Sequence, residues 1–162
     1  MPVTVGDRLP ETTFFIMGPD GLEKKTTSEI FGGRKVVLFG VPGAFTPTCT
    51  NNHLPGFLEH RDAILDKGVD EIAVVSVNDV FVLNAWAEHT RGKGRITFLS
   101  DGVAEFAKAA GLDIDRTSVG QGSRLKRFSM IVEDGVIKSM EVEDAPSEAT
   151  ATGAARILEE LG

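Results

Sequence analysis

Residues 35–57 read KVVLFGVPGAFTPTCTNNHLPGF. Lys35 to Val41 is a continuous apolar run of strand length. Such a run suits a strand covered on both faces of a sheet. A short Pro/Gly-rich loop follows. Beyond it Leu54, Phe57, Leu58, Ile64 and Leu65 fall at broadly helical spacing. The pattern predicts a helix from about Thr48 to Lys67, kinked at Pro55 and ended by Gly68. Where strand gives way to helix stands Cys49, the only cysteine among 162 residues.

Upstream, TTFFIM (12–17) and LEKKTTS (22–28) flank the turn signal Gly18-Pro19-Asp20-Gly21, which predicts an N-terminal hairpin. SEIF (28–31) reads as one helical turn. Downstream, EIAVVSV (71–77) is a second buried strand, and Asn78 or Asp79 caps a helix carrying Phe81, Leu83 and Trp86. RITFLS (95–100) is a third strand. Ser100 or Asp101 caps a short helix ending at Gly111, with Val103, Phe106 and Ala110 inward. RFSMIVEDGVIKSMEVE (127–143) reads as a hairpin turning at Asp134-Gly135. Residues 147–161 read as a closing helix, with Ala151, Ala154, Ile157, Leu158 and Leu161 available for packing. The front half is β-α-β and therefore parallel, and the late hairpin adds antiparallel strands. The expected fold is α/β, a single domain over 1–162. It has a mixed central sheet of the thioredoxin-like kind, flanked by helices, with the hairpin at its N-terminus.

The composition is that of a globular chain, 41% hydrophobic and 25% charged. Its formal charge of −7 argues against nucleic acid and anionic membranes as partners, since both attract basic surfaces. No signal peptide is read at the N-terminus, and no apolar stretch approaches the ~18 residues of a membrane span. One cysteine forms no internal disulfide. The expected location is cytoplasmic. His60 and His89 show no metal-ligand spacing with a cysteine or a carboxylate cluster. Nucleotide signatures of the GxGxxG and GxxxxGK[ST] types are missing.

A lone cysteine is commonly a small buried hydrophobe. The position of Cys49 offers a second reading. Helix N-termini carry partial positive charge and free backbone N–H groups, which stabilise the nucleophilic thiolate. Shifting a free thiol by two pKa units takes about 2.7 kcal/mol, whereas a helix end typically supplies up to about 1 kcal/mol. A cationic partner is needed as well. GSRLKRFSM (122–130) places Arg124, Lys126 and Arg127 at the mouth of a strand. Such a cluster can be a solvated strand edge. Arg127 adjoins the apolar run and is the best placed to be held rigid.

Pro42, Thr46 and Cys49 form a P-x-x-x-T-x-x-C constellation. Pro42 packs over the thiol and has no N–H to direct at it, and Thr46 presents a hydroxyl next to the sulfur. Singly, Pro42 reads as a turn residue and Thr46 as a cap. His53 lies four residues after Cys49 on the same helical face, a secondary site candidate that also reads as structural. Arg124 orients the active-site loop or is simply exposed. Phe45, Phe81 and Phe128 are candidates for an apolar collar, or equally for core and dimer contacts. Trp86 reads as packing.

PGAFTPTC resembles the active-site motif of peroxiredoxins, and VVLFGVPGAFTPTCTNNHLPGF, VVSVND and RLKRFSM resemble the type II, or peroxiredoxin-five, class in wording and order. VGDRLPETTF and EDGVIK fit the same class, so the likeness covers nearly the whole chain. It implies a peroxidase that reduces hydrogen peroxide and alkyl hydroperoxides without metal or bound cofactor. It makes Cys49 the peroxidatic cysteine and Pro42, Thr46 and Arg127 its companions. Many members of the class carry a second, resolving cysteine. This chain has none, which leaves an external thiol (glutathione with glutaredoxin, thioredoxin or a small thiol) to reduce the sulfenic acid. The class commonly forms homodimers. Two other readings share the scaffold. A disulfide oxidoreductase needs C-x-x-C, but Thr46 and Asn52 occupy those positions. A non-enzymatic thiol-binding or holdase module has no need of Pro42, Thr46, Cys49 and Arg127 together.

Overall fold

The computed structural model describes residues 2–143 and 151–162. The strands are β1 (Thr13–Gly18), β2 (Gly21–Thr26), β3 (Lys35–Val41), β4 (Glu71–Ser76), β5 (Thr97–Ser100), β6 (Asp113–Asp115), β7 (Ser123–Leu125), β8 (Phe128–Glu133) and β9 (Val136–Val142). The α-helices are α1 (Thr27–Phe31), α2 (Leu54–Glu59), α3 (Arg61–Leu65), α4 (Val80–His89), α5 (Glu105–Ala110) and α6 (Ala154–Leu161). The main sheet has seven strands in the order β2-β1-β5-β4-β3-β8-β9. Strands β3, β4 and β5 run parallel at its centre, and the hairpins add antiparallel edges on either side. This is the mixed, thioredoxin-like sheet that the element order predicts.

The apolar run Lys35–Val41 is central strand β3. Its side chains alternate between two cores: Val36 and Leu38 join Phe14, Phe31, Phe106 and Phe128, while Val37, Phe39 and Val41 join Phe57, Ile64, Trp86 and Ile157. Burial on both faces explains a strand without polar alternation. Each such side chain contributes roughly 1.5–3 kcal/mol of transfer free energy. Gly40 is the gap in the run. A Cβ there would lie 2.1 Å from the ring of Phe128, its cross-strand partner, so only glycine leaves room for that ring.

Local chemistry fixes the element ends. Thr26 and Glu29 form a reciprocal capping box on α1. Asp79 caps α4, accepting from Val82 N at 2.8 Å. Asp134 and Gly135 turn the last hairpin with φ of 48° and 77°, the left-handed pair of a type I′ turn.

Several expectations are corrected. The helix over 48–67 is three pieces: a wide π-type turn, Cys49–His53, then α2, then α3 after a break at His60. Pro55 sits in the first turn of α2, where its missing N–H costs least. The π-type turn closes just before it through Leu54 N donating to Cys49 O. Val103 is 78% exposed rather than inward. Ala104 takes a left-handed φ of 59° and swings α5 away, so Asp101 caps from a distance through Phe106 N and Ala107 N, both at 2.9 Å. Ala151 lies outside α6, which starts after Gly153, and predicted helix residues 147–150 fall outside the described residues. Strands β6 and β7 form a separate two-stranded ribbon that periodicity does not predict. Among the described residues no helix is long and apolar enough to cross a membrane.

Candidate active site

The end of β3 delivers the chain into the loop 42–48, and Cys49 opens the π-type turn behind it. Sites in open α/β sheets form at such carboxyl ends. Cys49 is fully buried within the second core. The turn is tied down from two sides. Thr50 N donates to Thr46 O at 2.9 Å, and Trp86 Nε1 donates to Thr50 Oγ1 at 3.1 Å. Trp86 is therefore packing and anchor at once.

Arg127 arrives from the far end of the sequence. Ribbon β6–β7 places it: Asp113 pairs with Leu125, Lys126 N donates to Leu112 O at 2.8 Å, and Leu125 is buried in the first core. The chain then enters β8, and Arg127 turns inward, only 2% exposed. Its Nη2 donates to Cys49 Sγ at 3.0 Å and its Nη1 donates to His53 Nδ1 at 2.8 Å. The wide turn thus brings Cys49 and His53 to one guanidinium.

His53 continues the network. Because Nδ1 accepts from Arg127, the ring proton sits on Nε2, which donates to Thr152 O at 2.9 Å. Thr152 N and Oγ1 in turn donate to Glu143 Oε2 at 2.8 and 2.7 Å. Burial, and next the charge of Arg127, lower the His53 pKa to about 3. The imidazole is neutral and can only accept from the arginine. Its rings pack at 4.8 Å from Phe39 and 5.5 Å from Phe57.

A cavity of about 370 Å³ opens beside this assembly, lined by Pro42, Thr46, Pro47, Thr48, Arg116, Gln121 and Arg127. Pro42 is a buried part of its wall. Thr46 Oγ1 donates to Gly43 O at 2.7 Å, so its proton is committed and its oxygen remains an acceptor. Arg124 does not line the cavity. It donates through Nε to Gln121 O at 2.8 Å and through Nη1 to Val77 O at 3.1 Å, tying the 116–122 loop to the end of β4. The lining contains no phenylalanine, which corrects the expected collar. Phe45 is 48% exposed with its ring against His89, Phe81 is 67% exposed, and Phe128 is buried in the opposite core. Arg116, Gln121, Thr152 and Glu143 carry no signal in the sequence that sets them apart. Among the described residues no group of three or more His, Cys, Asp or Glu is placed to hold a metal ion.

Comparisons with known proteins agree with this architecture. Residues 4–158 match the Redoxin family model. The chain is 42% identical to Peroxiredoxin-2C of Oryza sativa subsp. japonica, covering 99% of each. Among solved structures it is similar to reduced Prx3 in complex with hydrogen peroxide from Vibrio vulnificus, with a TM-score of 0.94, 42% identity and 99% of each chain covered. It is also similar to peroxiredoxin 5 from Alvinella pompejana, with a TM-score of 0.87, 31% identity, and coverage of 99% of this chain and 98% of that one. With its solitary thiol under a guanidinium at the end of a central strand, this chain belongs to the redoxin family as a type II, or peroxiredoxin-five class, peroxiredoxin.

Proposed function

We propose that the chain is a thiol-dependent peroxidase for hydrogen peroxide and alkyl hydroperoxides, with Cys49 as its nucleophile. The observation that carries the reading is the Arg127 Nη2 to Cys49 Sγ contact of 3.0 Å, made by an arginine that also lines the cavity, with the buried sulfur just behind it. A hydrogen bond from a cation is stronger to a thiolate than to a thiol. A guanidinium also keeps its charge throughout the reaction.

In the first step the Cys49 thiolate attacks one peroxide oxygen. An S–O bond forms, the O–O bond breaks, and the departing oxygen leaves with the electron pair. That oxygen takes up a proton and departs as water or alcohol, while Cys49 becomes a sulfenic acid. Arg127 lies where the charge develops, so its donation strengthens in the transition state. Thr46, its own proton held by Gly43 O, offers oxygen lone pairs to the peroxide O–H. Pro42 walls the cavity without adding a competing N–H. In the second step a thiol displaces the sulfenic oxygen as water, leaving a mixed disulfide on Cys49. A second thiol then releases Cys49 and the disulfide product.

The reductant is an external thiol, since the chain has no second cysteine. Glutathione with glutaredoxin, or thioredoxin, meets that requirement. Such a cycle belongs in a thiol-reducing compartment such as the cytoplasm. A homodimer is the assembly we propose. Exposed Phe45 and Val103 sit on loops, and exposed Phe81 in the first turn of α4, all at one end of the sheet. These segments are linked where Ala44 N donates to Asn78 Oδ1 at 3.0 Å, and a Cβ on Gly102 would meet Asp79 Cα at 3.6 Å. Exposed apolar patches of this kind mark association sites. Sedimentation would show a dimer that Phe81→Glu weakens; a monomeric wild-type chain would contradict the dimer. The holdase reading is not favoured, because a guanidinium aimed at sulfur serves no binding purpose.

The test is peroxide consumption with a panel of thiol donors, comparing wild type with Cys49→Ser. Turnover by the wild type alone, with one donor clearly preferred, supports the enzyme and names its reductant. Equal consumption by both proteins would remove Cys49 from the chemistry.

A further inference from the structure

We propose that Arg116 is a specificity determinant that binds the carboxylate of an anionic co-substrate at the mouth of the cavity that Arg127 lines beside Cys49. The proposal rests on the peroxidase reading and deepens it.

The cavity lining is basic in an acidic chain. Arg116 and Arg127 both border it, no Asp or Glu does, and the protein as a whole carries −7. A cleft of one sign raises the local concentration of opposite charge. The two arginines have different tasks. Arg127 is committed at the base to Cys49 and His53. Arg116 stands half-buried on the rim.

Arg116 is held in place by the 116–122 loop. Its N donates to Gly122 O at 2.7 Å, and its carbonyl accepts from Gln121 N at 3.0 Å. Its Nε donates to Gln121 Oε1 at 2.6 Å. Gln121 itself borders the cavity, so this bond fixes the guanidinium there. With Nε occupied, the two Nη groups at the tip form the remaining fork. Among the described residues no carboxylate makes an ion pair with Arg116. The neighbouring Asp115 instead accepts from Thr117 N at 2.9 Å. A rigid two-donor fork suits a planar acceptor with two oxygens, which is a carboxylate.

The carboxylate can arrive on either co-substrate, the hydroperoxide or the reducing thiol. Stopped-flow measurements on wild type, Arg116→Gln and Arg116→Lys separate the two. The peroxide arm compares oxidation of Cys49 by a fatty-acid hydroperoxide with oxidation by its methyl ester. The thiol arm compares reduction of the preformed sulfenic acid by 3-mercaptopropionate with reduction by 2-mercaptoethanol. The readout is the ratio of the carboxylate probe to its neutral counterpart. In Arg116→Gln that ratio falls about tenfold in one arm or both, the scale of a charge-assisted hydrogen bond. Arg116→Lys restores part of it. The arm that responds names the source. Ratios unchanged in both arms overturn the proposal, as does a loss shared equally by charged and neutral probes. A wild-type Cys49 that hydrogen peroxide oxidises no faster than a free thiol would overturn the peroxidase reading together with it, and so is told apart from failure of the carboxylate site alone.

Discussion

Arg127 Nη2 and Cys49 Sγ lie 3.0 Å apart, although 78 positions separate the two residues along the chain. Ribbon β6–β7 and the start of strand β8 carry Arg127 to this meeting. A hydrogen bond to a charged group is worth about 1.5–3 kcal/mol. Arg127→Gln should therefore slow oxidation of Cys49 by hydrogen peroxide roughly 10- to 100-fold. It should also slow alkylation of Cys49 at neutral pH, because the sulfur loses its cationic partner. Stopped-flow oxidation and timed alkylation check both, and unchanged rates would reduce Arg127 to a packing residue.

Thr46→Val removes the acceptor oxygen at nearly constant volume. The Gly43 carbonyl bond goes with it, at a typical net cost of ~1 kcal/mol in stability. The peroxide step should fall about tenfold, a larger effect than the loss in melting temperature implies. Equal activity in the variant would take Thr46 out of the mechanism.

His53 holds Arg127 from behind, and its burial makes stability depend on pH. The folded imidazole resists protonation down to about 3, whereas the ordinary value is 6.5. Between those values the unfolded chain binds the extra proton. Stability from this group is thus present above 6.5 and is lost as pH falls toward 3, by up to about 1.4 kcal/mol per pH unit. Asp101, raised by burial, acts in the opposite sense above its ordinary 3.8. Urea unfolding at pH 5 and pH 7 isolates His53 by comparison with His53→Asn. The variant should be less stable at pH 7 and show a flatter pH slope. A slope as steep as the wild type's would assign the dependence to other groups.

Gly40→Ala tests the packing behind Arg127. The added methyl meets the Phe128 ring, and Phe128 follows Arg127 directly. Overpacking of this kind costs about 1–3 kcal/mol. The variant should unfold at lower denaturant and lose peroxidase rate, because the strand that carries Arg127 must move. Wild-type stability and rate would show that β8 yields freely.

The central strand, both hairpins and the Cys49 junction were legible because they rest on local chemistry: apolar runs, Asp-Gly turns, a cap at Asp79. The misread positions depend on backbone geometry that composition leaves open. Ala104 is an ordinary helix former held in a left-handed conformation, which exposes Val103 against its apolar character. The break at His60 lies between Glu59 and Arg61, with no glycine or proline at the break itself. At the site, Cys49 and His53 were linked by spacing alone. The bond from His53 to Thr152 spans 99 positions and could come only from the folded chain. The same holds for Arg116 and Gln121, whose loop acquires meaning only once β7 brings it over the cavity.

The most direct measurement mixes reduced protein with one equivalent of hydrogen peroxide and follows Cys49 by rapid quench and mass. The account predicts the gain of a single oxygen on Cys49 at least about 100-fold faster than a free thiol, equivalent to about 2.7 kcal/mol off the barrier. Oxidation at the pace of free cysteine would contradict it.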